Sequence, residues 1–347
     1  MPPRSMESPF STRPGARRDH RIPLHLQGSG RWGDRGRFRA GRLLISIPLL
    51  FLLGGCTKKD TLHTLDRVQL RDTVAAEATL QVDSGRGWIA QPGALTAVDT
   101  AGRTVARVPL ALKGTPRVLW RAGGRWYLRA DGATAVVDSA GKALGTRRSD
   151  APLARDPRGV WVYTATRNGS VMGLAPESLV PRWGWPDAGS PVSAIAVSPL
   201  GDRVYVALAG SEAHDVPAAI EVRDALSGRL LSTFGTGAAA RVLVAGPDGT
   251  LYAVVGGSVR ALRHGPDGLR QRWSKDFGGI GHSDPDAVRV SPDGGKVAVV
   301  AYGRELHLLA AGDGKVLEES KRAPRDAAWD AAGRLWVLGA REIRIVR

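Results

Sequence analysis

The sequence predicts an all-β fold: a β-propeller, a ring of about seven four-stranded blades closed by an N-terminal strand. Three observations carry this prediction. Strand-length apolar runs alternate with Gly- and Pro-containing turns from residue 62 onward, and helical periodicity is absent there. An aromatic residue recurs near a Gly-containing turn, at Trp88, Trp126, Trp161, Tyr205, Tyr252 and Trp336, while Ala298 holds the sixth of the seven positions. The spacings are 38, 35, 44, 47, 46 and 38 residues, averaging about 41, the period of a four-stranded propeller blade.

The first 55 residues stand apart from this pattern. Leu43 to Leu53 is an uncharged apolar run of eleven, preceded by Arg35, Arg37, Arg39 and Arg42. It is too short for a transmembrane helix, which needs about 20 residues, and it fits the apolar core of a signal peptide. Arg17-Arg18 lie too far from the core, without apolar neighbours, to act as a twin-arginine signal. Leu53-Gly54-Gly55-Cys56 follows the core and resembles the bacterial lipobox. That resemblance implies cleavage before Cys56, lipidation of its sulfur and a lipidated tether over 56–61. Two or three acyl chains would anchor the chain stably. Thr57, rather than Asp, implies sorting to the periplasmic side of the outer membrane where the cell has two membranes. Cys56 is also the only cysteine, so no intramolecular disulfide and no Cys-based metal cluster can form.

Maturation changes the charge argument. The full chain carries +16, but residues 1–55 hold ten Arg against three acidic residues, leaving 39 basic and 30 acidic residues, or +9. The arginines are scattered singly along strands and turns, with no basic helix or stripe, so no nucleic-acid partner is expected.

Within 62–347 the turns repeat as regularly as the aromatics. Ser198-Pro199-Leu200-Gly201, Gly246-Pro247-Asp248-Gly249 and Ser291-Pro292-Asp293-Gly294 link first to second strands. Pro presets φ in such turns and Gly accepts the positive φ that closes them. A second set links third to fourth strands, at Asp99–Arg103, Asp138–Lys142, Asp224–Arg229 and Gly312–Lys315. The last unit, AAWDAAGRLWVLGAREIRIVR, stops after three strands, and the alternating segment 62–75 offers Leu65, Val68 and Leu70 to complete it. Closure of this kind leaves only short sheet edges exposed. The recurring aromatics read as packing between blades. Trp183, Trp185 and Trp273, near outer strands, read as blade-docking residues.

The stretch SPDGGKVAVVAYGRELHLLAAGDGKVLEES resembles bacterial YVTN-type propeller repeats, and GPDGLRQRWSKDFGG resembles quinoprotein-like repeats. The resemblance covers residues 62–347. It implies the propeller fold and says little about activity, since one propeller architecture serves many functions.

Two long loops are the candidate binding sites, Ala209–Ala218 in the fourth blade and Phe277–Asp286 between the fifth and sixth. The first carries Glu212, His214 and Asp215, and the second carries His282, Asp284 and Asp286. Hard oxygens with imidazole suit a divalent cation, and His can act as an acid or base near neutral pH. No other cofactor is expected, and His63, His264 and His307 stand isolated. The function expected is a monomeric, lipid-anchored, non-catalytic envelope scaffold binding protein or glycan. A lactonase- or lyase-type propeller enzyme is the second reading, and a quinoprotein ranks last.

Overall fold

The computed structural model describes residues 62–70, 73–149, 151–166, 168–186, 189–277 and 284–347. The lipobox-like segment with Cys56, the tether and His282 lie outside the described residues. No helix among the described residues is long and apolar enough to cross a membrane.

Seven four-stranded antiparallel sheets form the fold, each a blade with its strands in meander order from the inner to the outer edge. Blades 1 to 6 occupy 79–109, 117–148, 153–184, 192–235, 240–276 and 287–320. Blade 7 takes its inner three strands from 326–346 and its outer strand, Thr64–Gln69, from the other end of the chain. That strand runs antiparallel to Glu342–Val346, with Val68 opposite Ile343. The predicted closure is therefore present.

The closing strand buries less than its sequence suggested. Val68 is buried and packs with Trp336 and Ile343, and Leu70 lies against the same cluster, but Leu65 is 57% exposed. Leu65 and Val68 differ by an odd number of residues, which puts them on opposite strand faces. A bulge between Thr64 and Asp66 then leaves Leu65 unpaired.

The aromatic repeat is sharper in the structure than in the sequence. Every outer ladder carries a bulge at the same register, opposite one second-strand residue. Those residues are Trp88, Tyr127, Tyr163, Tyr205, Tyr252, Ala298 and Trp336, the last on the ladder to the N-terminal strand. Trp126 and Trp161 thus precede the equivalent positions by one and two residues. One step along a strand reverses the face, so Trp126 packs back on Trp88 of blade 1, ring centroids 4.8 Å apart. Tyr127 faces forward, and its hydroxyl donates to the Pro176 carbonyl of blade 3 at 2.7 Å. Trp161 sits just before its strand, half-buried, with its ring 5.8 Å from Trp183.

Of the expected docking residues, Trp185 and Trp273 meet the next blade, whereas Trp183 lies against Gly173, Trp161 and Tyr163 of its own blade. Trp273 is buried, and its indole N–H donates to the Ala311 carbonyl of blade 6 at 2.9 Å. Its ring lies over Gly314, whose φ of +72° and close approach both exclude a side chain. Trp185 meets Gly228 of blade 4 in the same way, at φ +71°.

Candidate functional site

The first predicted loop and the described ends of the second, Phe277 and Asp284–Asp286, lie on the face where second strands join third strands and one blade joins the next. In the first loop, Glu212–His214 forms one turn of 3-10 helix, and Asp215 follows at φ 53°. Paired amides and carbonyls of Ser211 and Val216 close its base, and the Ser211 hydroxyl lies 2.9 Å from His214 Nδ1. Glu212, His214 and Asp215 are all exposed. In the second loop, Asp284 lies 3.5 Å from the Arg241 guanidinium, and the Asp286 carboxylate accepts the Tyr302 amide at 2.8 Å. Among the described residues, no three His, Cys, Asp or Glu side chains are grouped as metal ligands.

A cavity of about 1200 Å³ opens on this face. Blades 2 to 6 line it. Its cause is local, because blade 3 has strands of only three or four residues, whereas those of blades 2 and 4 have five or six. Blade 3 stops short, and the cavity extends outward beside it. Leu119, Trp120, Leu153, Ile195 and Leu243 supply the apolar wall, and Ser149, Thr166 and Ser193 supply hydroxyls. Five arginines line it, namely Arg129, Arg147, Arg148, Arg241 and Arg289, against one aspartate, Asp286.

Sequence reasoning treated these arginines as scattered, and along the chain they are. Their gathering depends on which blades neighbour one another and on strand parity. The one available signal was the pair Arg147-Arg148, ending a strand where alternation calls for one residue on each face.

Beneath the rim, an inter-blade network ties the inner strands together. Asp326 of blade 7 is buried; it accepts the Leu80 amide of blade 1 at 2.9 Å and its neighbour Ala327 amide at 2.8 Å. Arg289 of blade 6 reaches Asp326 at 3.3 Å and donates to the Ala327 carbonyl at 3.2 Å. The Trp329 indole N–H returns a bond to the Arg289 carbonyl at 3.0 Å. Burial pushes the Asp326 carboxyl above the usual range, outweighing the pull of Arg289 and the two amides. Burial opposes the charge on Arg289 too, but Asp326 and Tyr302 outweigh it and hold the guanidinium above its ordinary value. Burial likewise raises the Tyr302 phenol.

His307 is not isolated. It is buried in blade 6 between Glu305 at 3.5 Å and Glu319 at 3.8 Å, with the Phe277 ring 5.0 Å away. Glu305 lies two residues away on the same face of the same strand, and Glu319 comes from the paired outer strand.

No family model and no curated protein matches the chain. Solved structures do. The β-propeller domain of Cps50 (Swd1) from Myceliophteria thermophila is 14% identical, with a TM-score of 0.65 over 82% of this chain and 98% of that one. A chain of the mitotic checkpoint complex is 11% identical, with a TM-score of 0.62 over 91% of this chain and 98% of that one. At such identities the likeness shows the fold alone: the chain is a seven-bladed β-propeller.

Proposed function

We propose that this protein is a lipid-anchored β-propeller of the bacterial envelope that serves as a non-catalytic, protein-binding scaffold. The observation that carries this reading is the broad cavity on one face, assembled from five blades of a rigidly closed ring. A closed ring holds such a surface in place at little entropic cost on binding. Propeller likenesses of known context point the same way, one of them being a chain of a checkpoint complex. The anchor rests on the apolar run 43–53, its arginine flank and the single cysteine at 56. Outer-membrane sorting, facing the periplasm, follows from Thr57 under the same reading. The YVTN- and quinoprotein-like repeats are taken as architectural.

The test has two arms. Wild-type protein should incorporate radiolabelled palmitate and partition with membranes, and Cys56→Ser should abolish both. Retention of label in Cys56→Ser would refute the anchor. Photo-crosslinkers at Glu212, Asp215 and Asp284 should trap a reproducible envelope protein in vivo. Persistent failure to trap one at all three positions would refute the binding face.

A further inference from the structure

Five arginines and one aspartate line a single cavity whose other side chains are apolar apart from three hydroxyls. Arg289 is engaged by Asp326, and Arg241 by Asp284 and the Pro285 carbonyl. Arg129 donates to the Ala151 carbonyl. Arg147 and Arg148 are different. Among the described residues neither has a carboxylate partner, and the nearest polar contact of Arg147 is the Met172 sulfur at 4.0 Å. Both line the concavity beside blade 3, Arg147 half-buried and Arg148 exposed on the other face of the same strand.

We propose that this cavity is a docking site for an acidic peptide segment of a protein partner, with carboxylates on Arg147 and Arg148 and apolar side chains against Trp120, Leu153 and Ile195. The proposal rests on the protein-binding reading above and names the chemistry of its partner. Four features choose a peptide. A volume of about 1200 Å³ is far larger than an inorganic anion needs and suits several residues of extended chain. Guanidiniums pair with carboxylates through two parallel bonds, which fixes orientation as well as charge. The lining also lacks the amide side chains that would match the hydroxyls of a neutral glycan: it contains no Asn and no Gln, and its polar groups besides arginine are three hydroxyls and Asp286. Trp and Arg beside an apolar wall are the composition of protein-interface hot spots.

The experiment measures fluorescence anisotropy of a labelled Glu- and Leu-rich peptide on the full-length chain in detergent micelles. Its counterpart with Gln replacing every Glu serves as control. The acidic peptide should bind, the Gln peptide should not, and added salt should weaken binding. Arg147→Gln and Arg148→Gln should each reduce affinity about tenfold, the worth of one charge-assisted bond. Arg229→Gln, on a turn of the opposite face, should leave affinity unchanged. Equal affinity for the Gln peptide, or equal loss with Arg229→Gln, would overturn the proposal. So would inorganic phosphate or a sulfated glycan binding as tightly as the peptide. Crosslinking at Glu212, Asp215 and Asp284 distinguishes this failure from that of the scaffold reading. A partner still trapped in the Arg147→Gln/Arg148→Gln double variant, with unchanged yield, would overturn only the arginine site.

Discussion

The two faces of the ring are built on different principles. On the face of the short hairpins, each turn satisfies itself. Asp99, Asp138, Asp156, Asp248, Asp293 and Asp330 each accept a backbone amide two residues on, and Gly102, Gly201, Gly249, Gly294 and Gly333 take the positive φ that completes the reversal. On the opposite face, almost nothing is local. Asp326 is held by blades 1, 6 and 7, and the arginine cavity draws on five blades. The hairpin face could be written repeat by repeat, whereas the cavity face exists only after the ring has closed.

Charge behaves oppositely on the two sides. In the hairpins, the Arg103 amide holds Asp99 below the usual carboxylate range, and the Ser227 and Ser291 hydroxyls do the same for Asp224 and Asp293. Burial alone would raise Asp330, but the Arg334 amide, the Trp336 indole and the Arg334 guanidinium prevail and lower it. Among the inner strands, burial prevails at Asp326 and raises it. A lowered carboxyl stabilises the fold above its unfolded pKa and loses that contribution as pH falls. A raised one costs stability when charged, and acid relieves the cost.

Four experiments would break or sharpen this contrast. The largest effect should come from deleting 62–70, which removes the outer strand of blade 7 and opens the ring. The cooperative thermal transition should be lost, and an unchanged melting curve would mean that closure does not hold the ring together. Next, Asp326→Ala should cost about 3–5 kcal/mol in denaturant unfolding, as removal of one partner from a buried pair does. A loss under 1 kcal/mol would show that the inter-blade network is dispensable.

Asp330→Asn should cost less, about 1–3 kcal/mol, because the Trp336 indole and the Arg334 amide lose a charged acceptor. It should also flatten the fall in stability below about pH 4, since the lowered carboxyl no longer titrates. An unaltered acid limb would place that pH dependence elsewhere. The smallest effect belongs to Arg148→Gln, which should stay within about 0.5 kcal/mol of wild type, as changes to exposed residues do. A larger loss would make the cavity arginines structural.

The sequence carried the hairpin face well, because its determinants sit within a few residues of one another. The Ser-Pro-Leu-Gly and Ser-Pro-Asp-Gly turns, the third-to-fourth-strand glycines and the closing strand all stand where spacing and alternation placed them. Trp185 and Trp273 dock as outer-strand residues should. Where the reading slipped, at Trp126, Trp161 and Leu65, it slipped by one or two residues. Period-2 geometry makes an odd slip costly, since a one-residue shift, as at Trp126, reverses the face a side chain presents.

The cavity was not readable in this way. Arg129, Arg147, Arg148, Arg241 and Arg289 span more than 150 residues of chain, and nothing in their local spacing relates them. His307 met Glu319 only through strand pairing across blade 6, whereas Glu305 stood two residues away on the same strand. By itself, the sequence determined the blade, its period, its turns and the strand that closes the ring, because these follow from local backbone preference and repeated burial. The tertiary structure alone decided which charged side chains share a space, because that depends on the order of blades around the ring and on blade 3 being short.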